Sequence, residues 1–170
     1  MKRVVSWVSI CVCAFAITAG VVSAQTFTFE AFLTGLGENP PNASPASGFG
    51  TVIYDASLTN ITVDENWSGL TAPATASHIH GPAGVGTNAA VIFVLSGVPA
   101  ATAGAIPEQA FSITPAQVVD LFNGLYYMNV HTSTFPGGEI RGQLLLVPEP
   151  STALLVAFGL IGLCWKLRRR

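Results

Sequence analysis

Apolar residues recur at every second position through much of residues 26–147, and this period leaves little choice of fold. In 26–34 (TFTFEAFLT), Phe27, Phe29, Ala31 and Leu33 share one face. In 60–67 (NITVDENW), Ile61, Val63, Glu65 and Trp67 do the same. Successive side chains of a strand point to opposite faces, so such runs suit a half-buried strand. The runs 48–56, 74–80, 89–96, 124–132 and 138–147 are similar in length, rich in β-branched and aromatic residues, and bounded by Gly, Pro, Asn or Asp. Several short strands at regular spacing predict a sandwich or a barrel. One segment breaks the pattern. In 113–124 (ITPAQVVDLFNG), Thr114 suits an N-cap, Pro115 the first helical position and Gly124 a stop, with Val118, Leu121 and Phe122 on one face. The Ala-, Gly- and Pro-rich stretch 97–109 reads as a flexible loop.

The two ends differ from this interior. Residues 1–24 carry Lys2 and Arg3, an apolar run, and small residues at Val22-Ser23-Ala24, as a secretory signal peptide cleaved after Ala24 does. At the other end an apolar segment runs from about Thr152 to Trp165 and is followed by Lys166, Arg168, Arg169 and Arg170. It is shorter than the roughly 20 residues a comfortable spanning helix needs. Its basic flank orients this end inward and the preceding domain outward. The order Pro148-Glu149-Pro150, apolar segment, arginine tail closely resembles the PEP-CTERM sorting signal of Gram-negative bacteria. That resemblance implies exosortase as a processing partner beside signal peptidase. It also implies a transient inner-membrane anchor and a final place at the cell surface or in the extracellular matrix.

Between the ends, residues 25–147 form one domain. All three cysteines (Cys11, Cys13 and Cys164) lie outside it, so it holds together without disulfides and has no thiolate chemistry. Arg141 is its one basic residue against eight acidic ones, a formal charge of −7. Nucleic-acid binding needs a basic footprint that this domain lacks.

Only three histidines are present, and two sit two residues apart in 76–84 (ASHIHGPAG). On a strand, His78 and His80 share a face while Ile79 points to the core. The runs 126–132 and 138–144 are joined by a hairpin-length connection. One register sets His131 opposite Glu139, Asn129 opposite Arg141 and Tyr127 opposite Gln143, which gathers the polar residues on one face. A slip of one residue would bury them. Glu139, Arg141 and Asn129 then form a structural polar cluster in which Arg141 holds a carboxylate or carbonyls near the turn, with Glu139 and Glu38 as candidate partners.

The motifs ENPP (38–41), SHIHGPAG (77–84) and YYMNVHTSTFPGGEIRGQL (126–144) resemble the CHRD domain, a module named after chordin. The resemblance runs from about Phe27 to Leu146. Met128 stands where valine is common, and GTNAAVIFVL replaces the usual lead-in to its strand. The family implies a β-sandwich of immunoglobulin-like character, and the chordin link implies binding of protein ligands. The expected fold is therefore all-β: an antiparallel β-sandwich of immunoglobulin-like or Greek-key type with one short helix. It is flanked by an N-terminal signal helix and a C-terminal membrane helix.

Two readings of the histidines stand side by side. In one, His78, His80 and His131 converge on a Zn or Cu ion, since imidazole suits both metals. In the other they hydrogen-bond loop backbone and need no metal. The His-x-His pair is similar to that of copper–zinc superoxide dismutases, but those enzymes use more histidines and a disulfide. No nucleophile motif or phosphate loop is present. The expectation is a non-enzymatic exported protein with a binding or structural role, whose ligand is an exopolysaccharide or a surface protein. The alternative is a metal-binding module with a redox-related role.

Overall fold

The computed structural model describes residues 25–148 and the isolated positions 158, 161, 165, 166 and 168. The signal peptide, Glu149, Pro150 and most of the expected membrane helix lie outside the described residues. Among the described residues no helix is long and apolar enough to cross a membrane.

The alternating runs form the expected antiparallel strands. β1 (Thr26–Thr34), β2 (Ser47–Asp55) and β3 (Asn60–Ser68) make a meander paired along its whole length, from Thr26↔Asp55 to Thr34↔Ser47 and from Ser47↔Ser68 to Asp55↔Asn60. β4 (Ala74–His80), β5 (Val91–Val94), β6 (Gly104–Ser112), β7 (Tyr127–Thr132), β8 (Ile140–Gln143) and β9 (Leu145–Leu146) complete one sheet. Its order is β5-β4-β7-β8-β1-β2-β3-β6, with β9 on β1. The β7–β8 register matches expectation at Tyr127↔Gln143 and Asn129↔Arg141.

The sheet curls until its edge strands, β5 and β6, face each other. Side chains close the gap. The Gln109 amide accepts from the Ser96 N–H (2.9 Å) and donates to the Ser96 carbonyl (2.8 Å), in the manner of a strand neighbour. Phe93 of β5 packs on Phe111 of β6, ring centroids 5.1 Å apart. The inward residues include Phe29, Ala31, Leu33, Val52, Ile61, Val63, Trp67, Ile79, Met128, Val130 and Ile140, all buried. Met128, the departure from the usual valine, fits because Gly50 stands across from it. A Cβ at Gly50 would collide with the Met128 sulfur.

β6 replaces the second half of the loop expected over 97–109. Pro107 lies inside this strand. It is tolerated because β6 is an edge and bulges there: the register shifts from Val63↔Gln109 to Glu65↔Ile106, placing an extra residue on β6.

α1 (Pro115–Phe122) forms where expected. Thr114 caps it by accepting from the Gln117 N–H, and the Gln117 side chain reaches back to the Thr114 N–H, closing a capping box. Gly124 follows the helix at φ 66°, a conformation that favours glycine. Leu121 is buried, while Phe122 meets Phe27 and Phe29 edge-on at 4.9 and 5.2 Å. Thr114→Ala should lower the midpoint of urea unfolding by the equivalent of about 1 kcal/mol with an unchanged slope. A midpoint equal to that of the parent would show that the cap contributes nothing.

Candidate metal centre

β4 presents Ser77 and Ile79 to the core and His78 and His80 to the outer face. β7 lies beside it, with Ala76↔His131, His78↔Asn129 and His80↔Tyr127 in register. Adjacent strands thus bring all three histidines onto one patch. One ligand nitrogen from each ring lies within 4.8 Å of the other two. His78 Nδ1 and His131 Nε2 are 3.0 Å apart. Tetrahedral coordination at about 2.0–2.1 Å would set such nitrogens about 3.3 Å apart, so small side-chain motions suffice.

Hydrogen bonds to the backbone fix two of the rings. His80 Nδ1 donates to the Ala89 carbonyl (2.9 Å), and His131 Nδ1 donates to the Pro136 carbonyl (2.9 Å). Each bond leaves the lone pair on Nε2. His131 Nε2 accepts from His78 Nδ1. His80 Nε2 is buried in no well-formed hydrogen bond, with the Asn129 side chain beside it, on a residue only 8 % exposed. A ring oriented by a carbonyl, with its other nitrogen free, is the arrangement that metal-ligating histidines use. The two readings of the histidines are therefore compatible: one nitrogen fastens a loop while the other is available.

Burial, reinforced by the His131 and His80 rings, pushes the His78 pKa down to about 4. Burial also lowers His80, against the opposing pull of the Ala89 carbonyl and the Asn129 side chain, and lowers His131 against that of the Pro136 carbonyl. All three rings are neutral at pH 7, the form that binds metal.

Around them, polar side chains pin three loops. Tyr127 stacks parallel to His80 (centroids 4.9 Å apart), and the Arg141 guanidinium lies 3.3 Å from the Tyr127 ring centroid. Arg141 donates to the Thr87 carbonyl (2.5 Å) and to Asn88 Oδ1 (2.9 Å), holding the 81–90 loop over the sheet. Gln143 donates to the Ala83 carbonyl, and the Ala89 N–H donates to the Tyr127 hydroxyl. Asn88 donates to the Asn39 carbonyl and so ties in the 38–42 loop.

Glu139, Arg141 and Asn129 are all buried, but their contacts differ from expectation. Arg141 holds carbonyl and amide oxygens, and Glu139 is not its partner. Glu139 does not face His131 either: beside Gly138, at φ 132°, its carboxylate turns to the Thr132 side of β7. There it accepts from the Thr71 N–H (2.7 Å) and from the hydroxyls of Ser44 (2.7 Å), Thr132 (2.7 Å) and Thr71 (3.1 Å). Burial works to raise its pKa, but these bonds hold it below the ordinary carboxylate value. Glu38, the other candidate partner, is buried, which raises its pKa to about 7. The Arg141 charge, the Asn129 amide and the Asn39 N–H offset part of that rise. The Thr71, Ser44, Thr87 and Asn88 contacts carry no sequence signal, since all of them are long-range.

Glu65 and Ser77 form a second buried polar pair. Glu65 is 1 % exposed and bonds Ser77 Oγ at 2.5 Å, and Ser77 also lies 3.0 Å from the Asn129 carbonyl. Its phase with Ile61, Val63 and Trp67 already placed it inward.

Comparison with known families agrees with this architecture. Residues 29–144 match the CHRD domain, and residues 146–170 match the PEP-CTERM protein-sorting motif. No curated protein and no solved structure matches the chain at significance.

Proposed function

The chain belongs to the CHRD-domain family, and we propose that its domain is a non-enzymatic, surface-sorted module that binds one Zn or Cu ion through His78, His80 and His131. Its C-terminal motif marks it as an exported exosortase substrate with a transient membrane anchor. The observation that carries the metal reading is the convergence of three imidazoles whose ligand atoms lie within 4.8 Å, with the buried His80 Nε2 in no well-formed hydrogen bond and only the Asn129 side chain beside it. A buried polar atom left unpaired costs stability unless something fills its place. Three neutral nitrogens favour Zn or Cu over harder ions. Three protein ligands leave a fourth position open, where a surface or matrix ligand would attach.

The test is metal content of tag-free Gln25–Val147 by mass spectrometry, beside His80→Ala. Near-stoichiometric Zn or Cu is expected in the parent and not in the variant. At ligand 100-fold above Kd, binding should stabilise the domain by about 2.7 kcal/mol. For a domain of this size that corresponds to about 10 °C in Tm. No metal and no shift with either ion would sink the metal reading and leave the histidines as loop fasteners. The search would then turn to exopolysaccharide or surface-protein ligands. The cleft beside the site, lined by Glu38, Pro40, Asn88, Phe135 and Pro136, is where such a ligand would be sought.

A further inference from the structure

We propose that, while the chain is anchored, the face formed by β1 and β9 rests on a zwitterionic lipid surface, with Phe32 and Leu145 against the headgroups. This rests on the reading that the C-terminal segment enters the bilayer. Phe32 is 72 % exposed and Leu145 59 %, with Phe49 packed on Phe32 at 5.0 Å. Phe32 and Leu145 line a shallow depression together with Leu146, Val147, Pro148 and Glu30. The chain leaves the domain at this place. Leu145 pairs with Glu30, Leu146 with Phe29, and the Val147 N–H donates to the Thr28 carbonyl at 2.8 Å.

The short tether fixes which surface meets the membrane. The apolar segment begins near Thr152, five residues beyond Val147. Five extended residues span at most about 17 Å. The headgroup layer occupies about 6 Å on each side of the hydrocarbon. Val147 is therefore held close to the headgroups, and the apolar patch around it goes with it. The domain's charge of −7 gives no attraction to anionic lipid, so contact here is apolar and the matching surface is zwitterionic.

The test uses the signal-processed chain from Gln25 to Arg170 in phosphatidylcholine vesicles, with Cys164 replaced by Ser and single nitroxide labels at residues 32, 108 and 160. Position 108 is exposed on β6, which β2 and β3 separate from β1. Accessibility to oxygen against a water-soluble nickel complex reads depth. The expected result is a label at 160 within the hydrocarbon, one at 32 at interfacial depth, and one at 108 in water. The label at 32 should lose several-fold in nickel accessibility on going from detergent to vesicles. A label at 160 in hydrocarbon with one at 32 as wet as that at 108 would overturn the docking while leaving the anchor intact. A label at 160 in water would overturn both. Label–label broadening at residue 32 that persists in detergent would assign the face to a second copy and overturn the lipid assignment.

Discussion

Arg141→Met should lower Tm by about 15 °C and release the 81–90 loop. Arg141 is 2 % exposed, and it is the domain's one cation. Its fork ends on the Thr87 carbonyl and Asn88, and its plane covers Tyr127, which in turn stacks on His80. Removing it leaves two loop oxygens without donors and takes away the charge that offsets the burial of Glu38. Losing one partner from a buried charged network costs about 3–5 kcal/mol. Arg141→Lys should recover little, because an ammonium has neither the fork nor the flat face. Thermal unfolding reads the first effect, and amide exchange at Ala89 reads the second. An Arg141→Met protein that melts with the parent and keeps Ala89 protected would remove Arg141 from the account of this loop.

Glu65→Gln should raise stability at pH 8 by about 3 kcal/mol and leave it nearly unchanged at pH 4. Burial lifts the Glu65 pKa from 4.5 to about 7, with the Ser77 hydrogen bond pulling the other way. The folded state therefore holds this proton more tightly than the unfolded chain does. Its contribution is greatest below pH 4.5, declines as pH rises toward 7, and is constant above that. The shift corresponds to about 3 kcal/mol at 1.36 kcal/mol per unit. The geometry agrees with the neutral form. A protonated Glu65 donates to Ser77 Oγ, and Ser77 then donates to the Asn129 carbonyl. A glutamine amide at residue 65 can do the same at every pH. The histidines work in the opposite sense, since their folded values are lowered: their contribution is complete above pH 6.5 and is lost as pH falls toward 4. Glu38 follows Glu65. The difference between parent and variant, measured by urea unfolding from pH 4 to 8, isolates residue 65. A difference that stays flat across that range would refute the assignment.

Strands were legible where one face is buried, because a period of two records burial directly. β6 was not, since its composition is that of a loop and its identity comes from pairing with β3 across a bulge at Pro107. The histidine patch was legible in part. Spacing put His78 and His80 on one face, and the β7–β8 hairpin register put Asn129 opposite Arg141. That β7 lies beside β4, and so brings His131 to the pair, depends on sheet order, which local pattern does not encode. Glu139 was misplaced for a related reason. Two glycines precede it, and the backbone at Gly138 re-aims its carboxylate toward Thr71, Ser44 and Thr132.

The Gln109–Ser96 clasp bears on how the sheet meets strands of other molecules. An open antiparallel sheet offers two rows of unpaired backbone groups to any passing strand, and strand addition is how such proteins join into fibres. Here one amide side chain occupies Ser96 on one margin while belonging to the other, and Pro107 withholds a donor beside it. Both margins are blunted by the same few atoms, so neither edge offers an open row of backbone groups for another strand to extend.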